Sequence, residues 1–139
     1  MELKMTKEMD KKEFECFFEE EEVPLESMKE HGYFLYTDNK PIAFFALVPI
    51  EQTSYWLRTL LIKRGAPVLT PVTIIQTAES LSQNNGAESL VIHSKTTMLD
   101  ELLTQLGYRP TDKEFGEHSE ANWWITSLRN VDKNVSYTQ

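Results

Sequence analysis

The sequence predicts one α+β domain built on a mixed central sheet of about six or seven strands with about four helices. Three observations lead there. Two apolar strand-like runs, residues 33–37 and 41–50, are joined by turn residues. A helix-like segment from Thr70 lies between two further strand-like runs, as a parallel crossover requires. The chain has 139 residues, 40% of them hydrophobic, which supplies one core and is short for two.

Composition narrows the setting. Lys and Arg number 14 against 22 Asp and Glu, a formal net charge of −8, which opposes nucleic acid and other phosphate-rich surfaces as partners. The longest apolar run, residues 42–50, falls far short of the roughly 20 residues of a membrane span. The start Met1-Glu2-Leu3-Lys4 lacks the pattern of a signal peptide. The single cysteine, Cys16, forms no internal disulfide and founds no zinc site. A cytoplasmic protein with no membrane contact and no metal is the expectation.

The elements follow from local chemistry. After an initial strand, Asp10 caps a helix through about Glu20, with Phe14, Phe17 and Phe18 at the spacing of one apolar stripe. Pro24 stops that pattern, and a short helical turn is expected over residues 25–30, ended by His31-Gly32. The pair Asp38-Asn39 is turn chemistry and makes a hairpin of the runs around it. Its second strand, IAFFALVPI, is apolar at successive positions and so reads as a central strand covered on both faces. Residues 55–62 form the next strand. Thr70 caps and Pro71 opens a helix with Ile74, Ile75, Ala78 and Leu81 on one face, ended by Asn85-Gly86. A strand at 89–93 precedes a helix at 97–106 that turns Met98, Leu99, Leu102, Leu103 and Leu106 inward and stops at Gly107. Strands at 108–113 and 122–127 complete the sheet. Residues 1–129 are expected to form the domain and 130–139 a polar, flexible tail.

This order, with the segments PIAFFALVPI, YWLRTLLIK, PVTIIQTAESLSQNNGAESLVIHS and LLTQLGY, resembles the GNAT superfamily of acyl-CoA-dependent N-acyltransferases over residues 33–127. The last segment is similar to the family's L-Y-x-x-L-G-F. The resemblance implies a sheet splayed between its fourth and fifth strands. It also implies acyl-CoA in that gap, its pyrophosphate on amides of an R/Q-x-x-G-x-G/A loop at the helix start. Here the loop departs from the pattern. In one register Ala66, Leu69 and Pro71 occupy the Arg/Gln and glycine positions; in the other Arg64 matches, with Pro67 and Leu69 at the glycines. Both lack the glycines that let backbone approach phosphate. The tyrosine that many members use to protonate the leaving thiolate corresponds to Leu103. The carboxylate found on the fourth strand corresponds to about Arg58 or Thr59.

The cofactor-binding candidates are therefore Lys63, Arg64, the amides around Val68, Leu69 and Thr70, and Lys95, all at the carboxyl ends of strands. His93 is the candidate for acid–base work, with no fixed partner in the sequence. His31 and His118 fall in loops, Ser94 lacks a glycine elbow, and Cys16 has acids around it. Residues 19–22 form an acidic run, read either as a solvated face or as a draw for a cationic amine. Trp123 and Trp124, adjacent in a strand, point to opposite sides of the sheet, and with Tyr55 they mark a partner surface if one side is uncovered. Two functions stay open. One is a divergent GNAT-fold protein with a degenerate acetyl-CoA site that binds a protein partner, another ligand or a second copy of itself. The other is an active acetyl-CoA-dependent N-acetyltransferase acting on an amine through an atypical loop.

Overall fold

A computed structural model describes residues 2–19, 30–51, 53–113 and 121–128. Seven strands are hydrogen-bonded in the order β1-β2-β3-β4-β5-β7-β6: β1 Glu2–Met5, β2 Gly32–Thr37, β3 Lys40–Ile50, β4 Ser54–Ile62, β5 Ser89–Ser94, β6 Arg109–Thr111 and β7 Asn122–Ser127. The described helices are α1 Lys11–Phe17, α2 Thr70–Asn84 and α3 Thr97–Gln105, with a 3-10 turn at Thr6–Glu8. β4 and β5 are parallel, while the pairs β1–β2, β2–β3, β5–β7 and β6–β7 are antiparallel. Among the described residues no helix is long and apolar enough to cross a membrane.

The chain divides into two compact units. One is Met1–Val48 with Arg58–Gln76, and the other is Pro49–Leu57 with Thr77–Gln139. In the first unit Asp38 and Asn39 both take positive φ, 54° and 65°, the left-handed pair that a two-residue hairpin demands between β2 and β3. The run from Ala43 to Leu47 is buried throughout, as the two-sided apolar pattern anticipates. Phe44 packs on Phe18 and Phe34, and Phe45 stacks on Tyr33. Phe17 and Phe18 of the α1 region complete an aromatic cluster with Phe34, Tyr36 and Phe44.

In the second unit both later helices end in the same way. Gly86, at φ 85°, follows α2 with Ala87 N–H on Ser82 O and Gly86 N–H on Gln83 O; Gly107, at φ 93°, follows α3 with Tyr108 N–H on Leu103 O and Gly107 N–H on Thr104 O. These paired bonds satisfy carbonyls that a helix end leaves open, and the left-handed residue they require explains glycine at both places. Tyr108 O–H donates to Glu79 Oε2 of α2 at 2.7 Å, and Trp124 Nε1–H donates to Asp100 Oδ1 of α3 at 3.0 Å, so both helices are tied to one end of the sheet.

Several expectations are corrected. The first helix is shorter than residues 10–20, ending at Phe17; Asp10 stands at its N-cap but only its backbone carbonyl is used, accepting from Phe14 N–H. Thr70 does not cap α2. It is the first helical residue, and the Leu69 carbonyl accepts the Thr73 N–H. Met98 is 80% exposed. Leu99, Leu102, Leu103 and Leu106 already fill the stripe at i, i+3, i+4, i+7, and Met98 lies about 90° off its centre by helical geometry. The strand expected at 108–113 is only Arg109–Thr111, an edge strand in which Pro110 has no ladder donor. The helical turn at 25–30 and the tail at 130–139 fall outside the described residues, apart from Glu30, which is helical.

Candidate functional site

The first unit holds the loop that follows β4. Lys63 N–H donates to Ile42 O at 2.8 Å, which fixes the end of the strand, and Gly65 then takes φ 89°. Ala66 N–H turns back to Lys63 O, and Thr70 N–H to Pro67 O. An anion cradle at a helix start needs first-turn amides that the chain has not used. Here Thr70 spends its amide on the Pro67 carbonyl, and Pro71 has none. Val68 and Leu69 project their side chains instead, 91% and 68% exposed. Arg64 is exposed, whereas Thr70 is fully buried with its hydroxyl unbonded among the described residues.

Lys63 is not a loose loop cation. Its Nζ donates to Phe17 O at 2.5 Å, at the C-terminus of α1, and sits 4.6 Å from the centre of the Phe17 ring. A cation on a helix's terminal carbonyl and over an aromatic face is held by three attractions at once. Of the expected cofactor cations, the structure leaves Arg64 and Lys95 exposed and assigns Lys63 to tying α1 to the end of β4.

Sequence reasoning missed the backbone strain at Thr59. In the middle of β4 it adopts φ 60°, a conformation that a β-branched side chain strongly disfavours and that persists only where surroundings impose it. The parallel register of β4 with β5 runs from Ser54↔Ser89 to Leu57↔Ile92 and stops there, although β4 continues to Ile62. The strained residue stands two positions past the last registered pair. No local sequence signal marks it, because Thr is an ordinary strand former.

The second unit holds His93. Trp56 Nε1–H donates to its Nδ1 at 3.0 Å, and Trp56, His93 and Trp123 form a triangle with ring centroids 5.2 to 5.5 Å apart. Because Nδ1 accepts, the neutral ring carries its hydrogen on Nε2, so that nitrogen donates and cannot take a substrate proton in this tautomer. Leu103 is fully buried. Burial first, then the charge of Glu79 and the hydrogen bond to it, push the Tyr108 phenol well above its ordinary range, which makes it a poorer acid.

Trp123 and Trp124 are 3% and 9% exposed, so the uncovered tryptophan that would mark a partner surface is not found, and Tyr55 is half-buried. Of the acidic run only Glu19 is described, and it is exposed; His118 lies outside the described residues. Cys16 is exposed on α1. No group of three or more His, Cys, Asp or Glu among the described residues could hold a metal ion.

A seven-stranded mixed sheet whose parallel β4–β5 pair is joined through α2 is the GNAT arrangement, and the chain has that fold. Its solved structural relatives are acetyltransferases. N-acetylglutamate synthase from Neisseria gonorrhoeae, complexed with coenzyme A and N-acetyl-glutamate, superposes with a TM-score of 0.73 at 12% identity over 92% of this chain. The chain spans only 35% of that protein's length. An aminoglycoside 6'-N-acetyltransferase complexed with coenzyme A gives 0.66 at 12% identity, covering 92% of this chain and 97% of that one. A GNAT family acetyltransferase from Elizabethkingia anophelis with acetyl-CoA bound gives 0.59 at 14% identity, covering 69% and 74%. No family model matches the sequence, and no curated protein matches it.

Proposed function

We propose that this chain is a GNAT-fold protein whose acetyl-CoA site has degenerated, and that it acts in the cytoplasm by binding a partner or another ligand rather than by acyl transfer. The observation that carries the reading is Leu103, wholly inside the core where a proton donor would stand. Three further features support it. His93 is committed to Trp56, Lys63 to Phe17, and the Thr70 amide to its own loop. These residues do not fit a glycine-type pyrophosphate cradle.

One observation favours a second reading. A strained Thr59 beside the end of the β4–β5 register has the character of a retained reaction site, and the relatives named above carry coenzyme A or acetyl-CoA. In that case Arg64, Lys95 and the amides of Val68 and Leu69 would hold acetyl-CoA while water moves protons to and from an amine substrate. Calorimetric titration with acetyl-CoA and with CoA, at low and physiological salt, separates the two. Absence of heat at millimolar ligand supports the degenerate site. Micromolar, salt-sensitive binding, followed by thiol release with a panel of amines, overturns it.

A further inference from the structure

We propose that the second unit carries a binding site for a small zwitterion of the free amino-acid class, in a cavity of about 260 Å³ whose floor is formed by β5, β7 and β6. Register builds the floor. Ser54, Ser89 and Ser127 are Cα partners across β4, β5 and β7, and beside them Trp56, Val91, Ile125 and Arg109 are partners across four strands. Partners in a sheet share a face, so a row of three small hydroxylic residues lies against an apolar row that ends in a guanidinium. The step in side-chain volume between serine and its neighbours makes the surface concave. Ser54 Oγ and Ser89 Oγ stand 2.6 Å apart, so two of the three hydroxyls hold each other in place.

The rim supplies both signs of charge. Arg109 and Glu88 line the cavity with Thr53, Ser89, Ile125 and Ser127. The backbone of Glu88 is held on both sides, its N–H on Thr53 O at 2.7 Å and its O accepting from Leu128 N–H at 2.8 Å. A guanidinium takes a carboxylate through two parallel bonds, a carboxylate takes an ammonium, and the serine hydroxyls serve either. Glu88 disfavours phosphate and other multiply charged anions, while Ile125 offers an apolar contact for a small side chain. The cavity lies at the starts of β4 and β5, away from the carboxyl ends where α/β sheets collect ligands, so it is independent of any acetyl-CoA site.

The test is a titration of the nitrogen-15-labelled protein with glycine, alanine, serine and glutamate, and with acetate and methylammonium as probes of one charge. At least one amino acid should give saturable amide shifts centred on Ser89, Arg109 and Ser127 at millimolar concentration. The single-charge probes should bind about tenfold more weakly, as the loss of one charge-assisted bond implies. Arg109→Gln and Glu88→Gln, both at exposed positions, should each weaken binding by a similar factor with the circular dichroism spectrum unchanged. The proposal is overturned if no amino acid gives saturable shifts, if acetate alone binds as well, or if either variant binds like the native chain.

Discussion

Replacing Lys63 by Met tests the assignment on which the reading of the loop turns. Methionine keeps the length of the stem and its contact with the Phe17 ring but removes the ammonium that bonds Phe17 O and faces that ring. A hydrogen bond from a charged donor contributes about 1.5–3 kcal/mol, and a cation over an aromatic ring about 0.5–1 kcal/mol. Lys63 is half-buried, so desolvation of the ammonium offsets part of this and the expected loss is about 2 kcal/mol. For a chain of this length that corresponds to a fall in Tm of roughly 6–10 °C. Urea denaturation and scanning calorimetry of Lys63→Met would measure the loss, alongside acetyl-CoA titration of both proteins. A Tm unchanged within about 1 °C, together with a tenfold or greater loss of acetyl-CoA affinity, would refute the reasoning and return Lys63 to the cofactor.

Three other substitutions probe separate parts of the structure. Tyr108→Phe removes the bond to Glu79 and should lower stability by about 1 kcal/mol near neutral pH. The folded phenol is held neutral above its ordinary value of 10.0. Its contribution is therefore complete below the unfolded pKa and is lost as pH rises toward the folded one, so urea midpoints should fall more steeply above pH ~10 in the native chain than in Tyr108→Phe. Gly32→Ala places a methyl group 2.5 Å from Thr6 Oγ1 and 2.6 Å from the buried Phe44 ring. Overpacking of about 1–3 kcal/mol should appear in chemical denaturation, and a neutral result would mean that the Phe44 cluster yields. Leu69→Gly with Pro71→Gly restores an amide and a close backbone approach at the start of α2. Calorimetry should then detect stronger CoA binding, and no gain would show that more than the phosphate cradle is missing.

Local signals carried most of the fold. Asp38-Asn39, Asn85-Gly86 and Leu106-Gly107 announce their turns because few residues tolerate positive φ, and the unbroken apolar run of β3 announces a strand covered on both sides. The Leu stripe of α3 is visible in its spacing, but Met98 is equally apolar and lies outside. Composition does not say which flank of a stripe the sheet meets. The candidate site was less legible. Lys63, Arg64 and Lys95 look alike in sequence, and only the arrival of α1 at the end of β4 separates Lys63 from the other two.

The sequence by itself determined the succession of strands and helices, the hairpin and the glycine stops. These are properties of neighbours along the chain, governed by period, backbone freedom and side-chain chemistry. Tertiary structure alone decided that β7 lies between β5 and β6, that Trp123 and Trp124 are buried, and that His93 accepts from Trp56. It also decided that three serines from separate strands share one row, and that Thr59 is strained. Each depends on residues 12 or more positions apart in sequence meeting across a sheet, or on a backbone held against its preference, and neither leaves a local trace.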